Sequence, residues 1–295
     1  MQIASKNNSI EGQYKYVEKI TPREKLTAWL SRIVIWLVIL IVLFPIVAIF
    51  SASVAEGTSF ATSTSIFPKS FTMANYKSIF TSTDFLIWLK NSLVVSLSVG
   101  VIQLALSVPA AFTFSKLKFK FRNQGLMALL ILQMFPTTMA LPAIITVCMQ
   151  LGFMDHLFTI ILLQAGGSAY NIWLMKGYMD GIPDDLVEAA YVDGATTLQV
   201  FTKIVLPLMR NMLLVVFLFA FINAYSEFIY SKALLKDASV QTLATGLQSF
   251  IKDKFSSNWT QYSAAAILSS VPVVALFMGL QKYVATGLTA GSVKG

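Results

Sequence analysis

Six almost uncharged stretches, each long enough to cross a lipid bilayer, determine what this chain can become. They run over Ile33–Ala55, Asn91–Ser115, Asn123–Met154, Leu157–Met175, Asn211–Tyr230 and about Tyr262–Gln281. A hydrocarbon core of about 30 Å takes about 20 residues of helix to span. With 56% hydrophobic and only 12% charged residues in 295, a water-soluble globule is excluded. The expectation is an all-α integral membrane protein of six transmembrane helices.

The first stretch ends near the small residues Ser51-Ala52-Ser53, as a secretory signal would. Its apolar core is too long and its leading 32 residues too extended for that, so it reads as an uncleaved span. Prolines fall inside the spans at Pro45, Pro109, Pro136, Pro142 and Pro272, each removing a backbone donor. Pro136 and Pro142, both in the third stretch, predict a bent or broken helix there.

The net charge of +8 is no nucleic-acid footprint, because the lysines and arginines flank apolar runs and form no stripe with interleaved aromatics. They report topology instead. Alternate loops carry Lys6, Lys15, Lys19, Arg23, Lys25 and Arg32, then Lys116, Lys118, Lys120 and Arg122, then Lys176, Lys203 and Arg210, then Lys282 and Lys294. The other side carries Lys69, Lys77, Lys90, Lys232, Lys236, Lys252 and Lys254. Fifteen against seven puts both termini of this multi-pass membrane protein in the cytoplasm. Two sizeable segments, about 56–88 and 231–261, are then external. The second holds Gln248, Asn258, Trp259 and Tyr262, which either touch an external partner or belong to a solvated loop.

Little chemistry is available inside the spans. Cys148 allows no internal disulfide and reads as a small packing residue. His156 stands beside Asp155 in a short loop with no second ligand near it, so no metal site is expected. Glu227 is the exceptional charge, near the outer end of the fifth span, where it can snorkel or face a cavity. Gln103, Gln133, Gln164, Asn171 and Asn223 are more readily helix-to-helix hydrogen bonders than pathway linings. Asn223, Tyr225 and Glu227 are the candidates for lining a pathway.

One polar segment stands apart. Five of the fourteen acids, Asp180, Asp184, Asp185, Glu188 and Asp193, crowd into the approach to and body of the run from Glu188 to Pro207, EAAYVDGATTLQVFTKIVLP. Pro183 suits a first helical position and Asp184 and Asp185 complement the helix dipole. At about 100° per residue, Leu186, Val187, Ala190 and Tyr191 share one face, and Asp184, Asp185 and Glu188 the other. Gly194 stands where a helix ends left-handed, and Thr196 and Gln199 have capping-box spacing for a second helix. On that helix Leu198, Val200, Phe201, Ile204 and Val205 form an apolar face, and Pro207 closes it. Either this is a tidily capped connector, or its apolar face is buried by a partner protein or by the cytoplasmic ends of the spans.

The spacing Glu188-Ala189-Ala190, three residues, Gly194, nine residues, then Ile204-x-Leu206-Pro207 resembles the EAA loop of ABC importer permeases. From about Asn75 to Gly295, including Asn91-Ser92-Leu93 and the tail from Gly287 to Gly295, the chain is similar to carbohydrate permeases of the MalG maltose and maltodextrin type. It departs at Tyr225-Ser226-Glu227-Phe228, where such permeases often show Trp-Asn-Glu-Phe. The resemblance implies a type I ABC importer transmembrane fold: a cytoplasmic tail 1–32, a membrane domain 33–286 with a core at about 88–282 and the EAA loop at 180–208, and a tail 287–295. It further implies that the loop docks in a cleft of a cytoplasmic ATPase dimer. Glu188 would pair with a basic residue, Ala189 and Ala190 would keep the docked helix slim, and Asp193 belongs to the same motif. Gly194 would make the turn, Ile204 and Leu206 would pack the second helix, and Pro207 would set its exit. A second homologous permease, an external sugar-binding protein facing the 231–261 loop, membrane lipid, and a C-terminal tail near the ATPase interface complete the implied assembly.

No G-x-x-x-x-G-K-[ST] phosphate loop occurs in the sequence, so ATP and its magnesium ion are expected in the ATPase partner and no cofactor on this chain. A secondary transporter would normally carry intramembrane charges and internal repeats, and an embedded enzyme a buried His, Asp or Glu constellation. Neither pattern is visible. The sugar is left open between maltodextrins, galacto-oligosaccharides and related glycosides.

Overall fold

Residues 21–58, 68, 70–251 and 257–290 are described by the structure, a computed structural model, with side chains followed to residue 284. Most of the N-terminal tail, Lys252, Lys254 and residues 291–295 lie outside the described residues. Helix α1, Pro22–Ser53, starts well before the uncharged run because Thr21 and Glu24 cap it. The Thr21 N–H donates to Glu24 Oε2 at 2.7 Å and the Glu24 N–H to Thr21 Oγ1 at 3.3 Å. Residues up to Val47 form a unit of their own, whose apolar side chains from Leu26 to Val47 are largely exposed.

In the larger unit a short helix α2, Ala74–Ser82, leads into α3, Phe85–Lys116. It begins at Phe85, not at Asn91, because the helix runs on past the charge at Lys90. Small buried residues along it, Ser92, Ser96, Gly100, Ser107 and Ala111, let neighbours approach closely. At Gly100 a Cβ would come within 2.8 Å of the Phe217 ring, so only glycine admits that contact.

The third span is broken as Pro136 and Pro142 predict. Helix α4, Arg122–Met134, gives way to a 3-10 turn and α5, Leu141–Leu151, at 70°. Phe135 takes the extended backbone (ψ 126°) that a following proline imposes. The fourth span, expected as one helix, is also bent. Helices α6, Leu157–Ala165, and α7, Ala169–Met179, meet at 44° around Gly166-Gly167. The carbonyl of Gln164 at this break accepts from the Gly167 N–H at 3.1 Å and from Gln103 Nε2 at 2.7 Å, and Asn171 Nδ2 donates to Gln103 Oε1 at 2.7 Å. The Gln103 and Asn171 side chains thus bond helix to helix, whereas Gln164 does so only through its backbone carbonyl, its buried Nε2 having no partner.

After residues 180–208 come α10, Arg210–Tyr225, and α11, Ile229–Leu234, then α12, Leu243–Leu247, and α13, Trp259–Ala290; α8 and α9, which lie between α7 and α10, are described below. Helix α3 packs against α6, α7, α10 and α12, and α10 packs in turn against α13. Among the described residues four helical segments, α10 being counted together with α11, are apolar and long enough to span a membrane, or six spans if each bent pair counts as one.

At the end of the bundle away from residues 180–208, loops are tied by side chains that grip backbone. Asn75 Nδ2 donates to the carbonyls of Ser53 and Ala55 at 3.0 and 2.9 Å. Asn91 Nδ2 donates to those of Ser239 and Gln241, each at 2.9 Å. The Asp155 carboxylate accepts from the backbone N–H of Lys236 and, at 2.9 Å, of Asp237. Gln248, Asn258, Trp259 and Tyr262 are half-buried in this packing, and Asn258 caps α13 through the Gln261 N–H at 3.0 Å. Cys148 is buried beside an apolar cavity of about 320 Å³ between α5 and α6. His156 Nδ1 bonds the Met154 carbonyl at 2.6 Å, and no metal-binding group exists among the described residues.

Candidate coupling site

Residues 180–208 form a helix-turn-helix seated on the bundle. Helix α8, Asp184–Val192, begins after Pro183, whose extended ψ of 132° makes it the residue before the helix and not the first within it. The helix closes with a Schellman motif. The Ala195 N–H returns to the Ala190 carbonyl at 2.9 Å and the Gly194 N–H to that of Tyr191 at 3.0 Å. Gly194 sits at φ +82° with nothing within 4 Å of where a Cβ would stand, so conformation and not crowding selects glycine.

Helix α9, Thr197–Val200, opens on the expected capping box. The Gln199 N–H donates to Thr196 Oγ1 at 3.3 Å and the Thr196 N–H to Gln199 Oε1 at 2.8 Å. One turn of π-helix, Phe201–Val205, follows, with the Leu206 N–H bonded to the Phe201 carbonyl. Pro207 accounts for it, since an α-helix would press the proline ring on the Lys203 carbonyl while gaining no hydrogen bond. The wider turn has a second effect. Val200 and Val205 are both fully buried, although positions five apart in an α-helix diverge by about 140°.

The apolar faces differ accordingly from the helical-wheel expectation. Val187, Ala190, Val200 and Val205 join the core made by Val108, Ala111 and Phe112 of α3, Met175 and Met179 of α7, Met209 just before α10, and Met212 and Val215 of α10. Phe201 lies against Phe112 with ring centroids 5.0 Å apart, and Ile204 and Leu206 pack on the same cluster. The ends of the spans therefore bury the second helix. Leu186, Tyr191, Val192 and Leu198 stay exposed, at 48, 38, 87 and 68%. Helices this short, lying across the bundle end, bury a single line of side chains. What remains outward is a surface of Asp185, Glu188, Ala189 and Asp193 among apolar residues.

The seat also has a polar clasp that a sequence pattern does not reveal, because its partners are more than sixty residues apart. Lys116 Nζ, at the end of α3, donates to the Ile182 carbonyl at 2.6 Å and to Asp184 Oδ1 at 2.7 Å, 68 residues away. Ser115 Oγ donates to Asp180 Oδ1 at 2.7 Å, and Lys176 Nζ to Asp180 Oδ2 at 2.6 Å. Arg122 closes the α3 terminus, donating from Nε to the Phe114 carbonyl at 2.6 Å and from Nη2 to that of Ser115 at 2.8 Å. The hydrogen bond from Lys116, then its charge and those of Lys118 and Arg122, hold the Asp184 carboxyl below the usual carboxylate range.

The pathway candidates are dispersed. Asn223 is exposed on α10. Tyr225 is buried, stacked on Phe221 at 5.6 Å, and its hydroxyl donates to the Ser269 carbonyl at 2.8 Å, so it serves the α10–α13 packing. Glu227 is half-buried. It caps α11, accepting from the Tyr230 N–H at 2.6 Å and from the Ser231 N–H and hydroxyl at 2.9 and 2.7 Å.

Comparison with known proteins matches this architecture. The maltodextrin transport system permease protein MdxG of Bacillus subtilis is 38% identical over 257 residues, 87% of this chain and 92% of that protein. The galactooligosaccharides transport system permease protein GanQ of the same organism is 38% identical over 259 residues, 86% and 91% of the two chains. The maltose/maltodextrin transport system permease protein MalG of Vibrio parahaemolyticus is 35% identical over 290 residues, 92% and 97%. A crystal structure of a bacterial ABC transporter involved in the import of the acidic polysaccharide alginate shares the fold, with a TM-score of 0.76 at 23% identity over 90% of this chain and 99% of that one. With its bent helix pairs, its clasped helix-turn-helix and a family profile matching residues 24–289, the chain belongs to the binding-protein-dependent transport system inner membrane components.

Proposed function

We propose that this protein is the non-catalytic permease subunit of an ATP-binding-cassette sugar importer, moving oligosaccharides of the maltodextrin type. The observation that carries the reading is the outward surface of α8 and α9, where Asp185, Glu188 and Val192 of α8 and Leu198 of α9 are exposed while the other side of both helices is fixed in the core. A rigid element presenting charge around an apolar centre is what a protein partner with a complementary cleft requires. That partner is an ATPase dimer, which holds ATP and magnesium. Glu188 meets a basic group there, Ala189 keeps the approach close, and Gly194 sets the angle between the two helices.

Residues 180–208, the α3 terminus and the α13 terminus then face the cytoplasm, and the loops tied by Asn75, Asn91 and Asp155 face outward toward a sugar-binding protein. A second, homologous permease completes the pathway, with Asn223 as this chain's exposed polar candidate for lining it. The MdxG and GanQ relatives stand at equal identity, so the substrate class extends to neutral oligosaccharides beyond maltodextrins. The test is co-purification with the cognate ATPase, whose ATP turnover rises when the external sugar-binding protein and its sugar are added. Uptake by this chain alone into ATP-free vesicles would overturn the reading. Calorimetry of the binding protein against maltodextrins and galacto-oligosaccharides decides the sugar.

A further inference from the structure

We infer that Lys116 is a positioning residue for transport, the clasp through which displacement of the 180–208 loop is delivered to α3. The inference rests on the importer reading and names a residue outside the docking surface.

The Lys116 side chain is 2% exposed, whereas that of its partner Asp184 is 76% exposed. An ammonium withdrawn that far from water is tolerated only where acceptors meet it. Both of its acceptors, the Ile182 carbonyl and Asp184 Oδ1, lie at the entrance to α8. Lys116 therefore grips the backbone and a side chain of the same short segment. The other contacts of α8 with the bundle, through Val187 and Ala190, are apolar. Apolar contacts have no preferred direction and permit sliding, while the ammonium's bonds are directional.

The ground on which Lys116 stands is also fixed. Arg122 occupies the last carbonyls of α3, which keeps that end from fraying, and Ser115 ties the same turn to Asp180. Helix α3 in turn packs on α6, α7, α10 and α12, so a pull at its end reaches most of the larger unit. Asp180 and Lys176 make a second, separate bridge at the end of α7. The loop is thus held at its own span by the Lys176–Asp180 bridge and at α3 by two contacts, Ser115 on Asp180 and Lys116 on Ile182 and Asp184, of which only Lys116 reaches the entrance to α8 with a charge.

The experiment uses the complete importer reconstituted with its ATPase, partner permease and binding protein, and measures sugar moved per ATP hydrolysed together with ATPase co-purification. Lys116→Met should keep ATPase association and lower sugar per ATP by roughly three- to ten-fold, the range of a coupled charge pair. Lys116→Arg, which keeps the charge, should restore most of it. Asp184→Asn, at an exposed side chain that leaves insertion undisturbed, should lower the ratio in the same direction, and Lys116→Met/Asp184→Asn should be no worse than Lys116→Met alone. An unchanged ratio in Lys116→Met overturns the inference. If that variant does not insert, an unchanged ratio in Asp184→Asn overturns it instead. Failure of the unmutated chain to bring down an ATPase would overturn the importer reading and this inference with it, whereas an unchanged ratio at normal ATPase association overturns the inference alone.

Discussion

At one end of the bundle a buried ammonium, Lys116, holds a loop through an ion pair and a carbonyl. At the other end Asn75, Asn91 and Asp155 hold loops by bonding their backbones. The first arrangement leaves acids and large apolar side chains outward; the second draws Gln248, Asn258, Trp259 and Tyr262 into half-buried packing. Amide-to-backbone ties stabilise one arrangement of a loop whatever side chains it carries. A charge clasp beside an unsatisfied apolar surface suits a part that meets another protein and transmits what that protein does. The difference is what the proposed coupling role expects, fixed geometry at one end and mechanical transmission at the other.

Variants can break that contrast. The largest effect is expected from Glu188→Lys, which reverses the presented charge without touching the seat. ATPase association should fall by at least about ten-fold, since like-charge contact at an interface costs several kcal/mol. Unchanged co-purification would mean that the outward acids play no part in docking. Next comes Gly194→Val, which places a β-branched residue at φ +82°. A left-handed conformation costs a residue with a side chain about 1–2 kcal/mol, so transport should drop about ten-fold while Gly194→Asn stays near the unmutated rate. Equal behaviour of the two variants in an uptake assay would show that the turn's backbone is not what matters.

The opposite end should respond in stability and not in coupling. Asn91→Ala removes donors from two carbonyls and should cost roughly 1–3 kcal/mol, read as a lower melting temperature in detergent with sugar per ATP unchanged. A coupling defect at normal stability would erase the distinction between the ends. The smallest effect is expected from pH. A carboxylate whose folded pKa is depressed contributes stability that is present above its unfolded value and lost only as pH falls through the folded one. Asp184, held down by Lys116, and Asp237, held down by Ser239, are both of this kind. Coupling should therefore stay flat between about pH 5 and about pH 8 as far as these groups are concerned. A transition inside that window that Asp184→Asn abolishes would show that the clasp is weaker than its geometry.

What a reader of the residues can see follows from which interactions are local. The capping box at Thr196 and Gln199, the Schellman turn at Gly194 and the break at Pro136 are legible because each is settled within a few residues of backbone. The six stretches are legible because a bilayer filters composition. Lys116 reads only as one more basic residue at a membrane boundary, since nothing near it in sequence names Asp184. The bend at Gly166-Gly167 is masked because the apolar run passes through it, and the Gln164 carbonyl there is met by Gln103 from another helix. Tyr225 and Glu227 look like pathway groups by chemistry, but burial against Ser269 and the start of α11 absorb them.

The π turn at Phe201–Val205 bears on how long this segment is allowed to be. It works as a vernier between two amphipathic registers, one that seats Val200 and Val205 and one that aims Met212 and Val215 of α10 into the same core. Removing a single residue there would restore α-helical winding and turn everything downstream by about 100°. The whole fifth span would then present a different set of side chains to α3 and α13. In this stretch chain length is governed by angular phase, and an indel that a surface loop would absorb becomes a rotation of the rod.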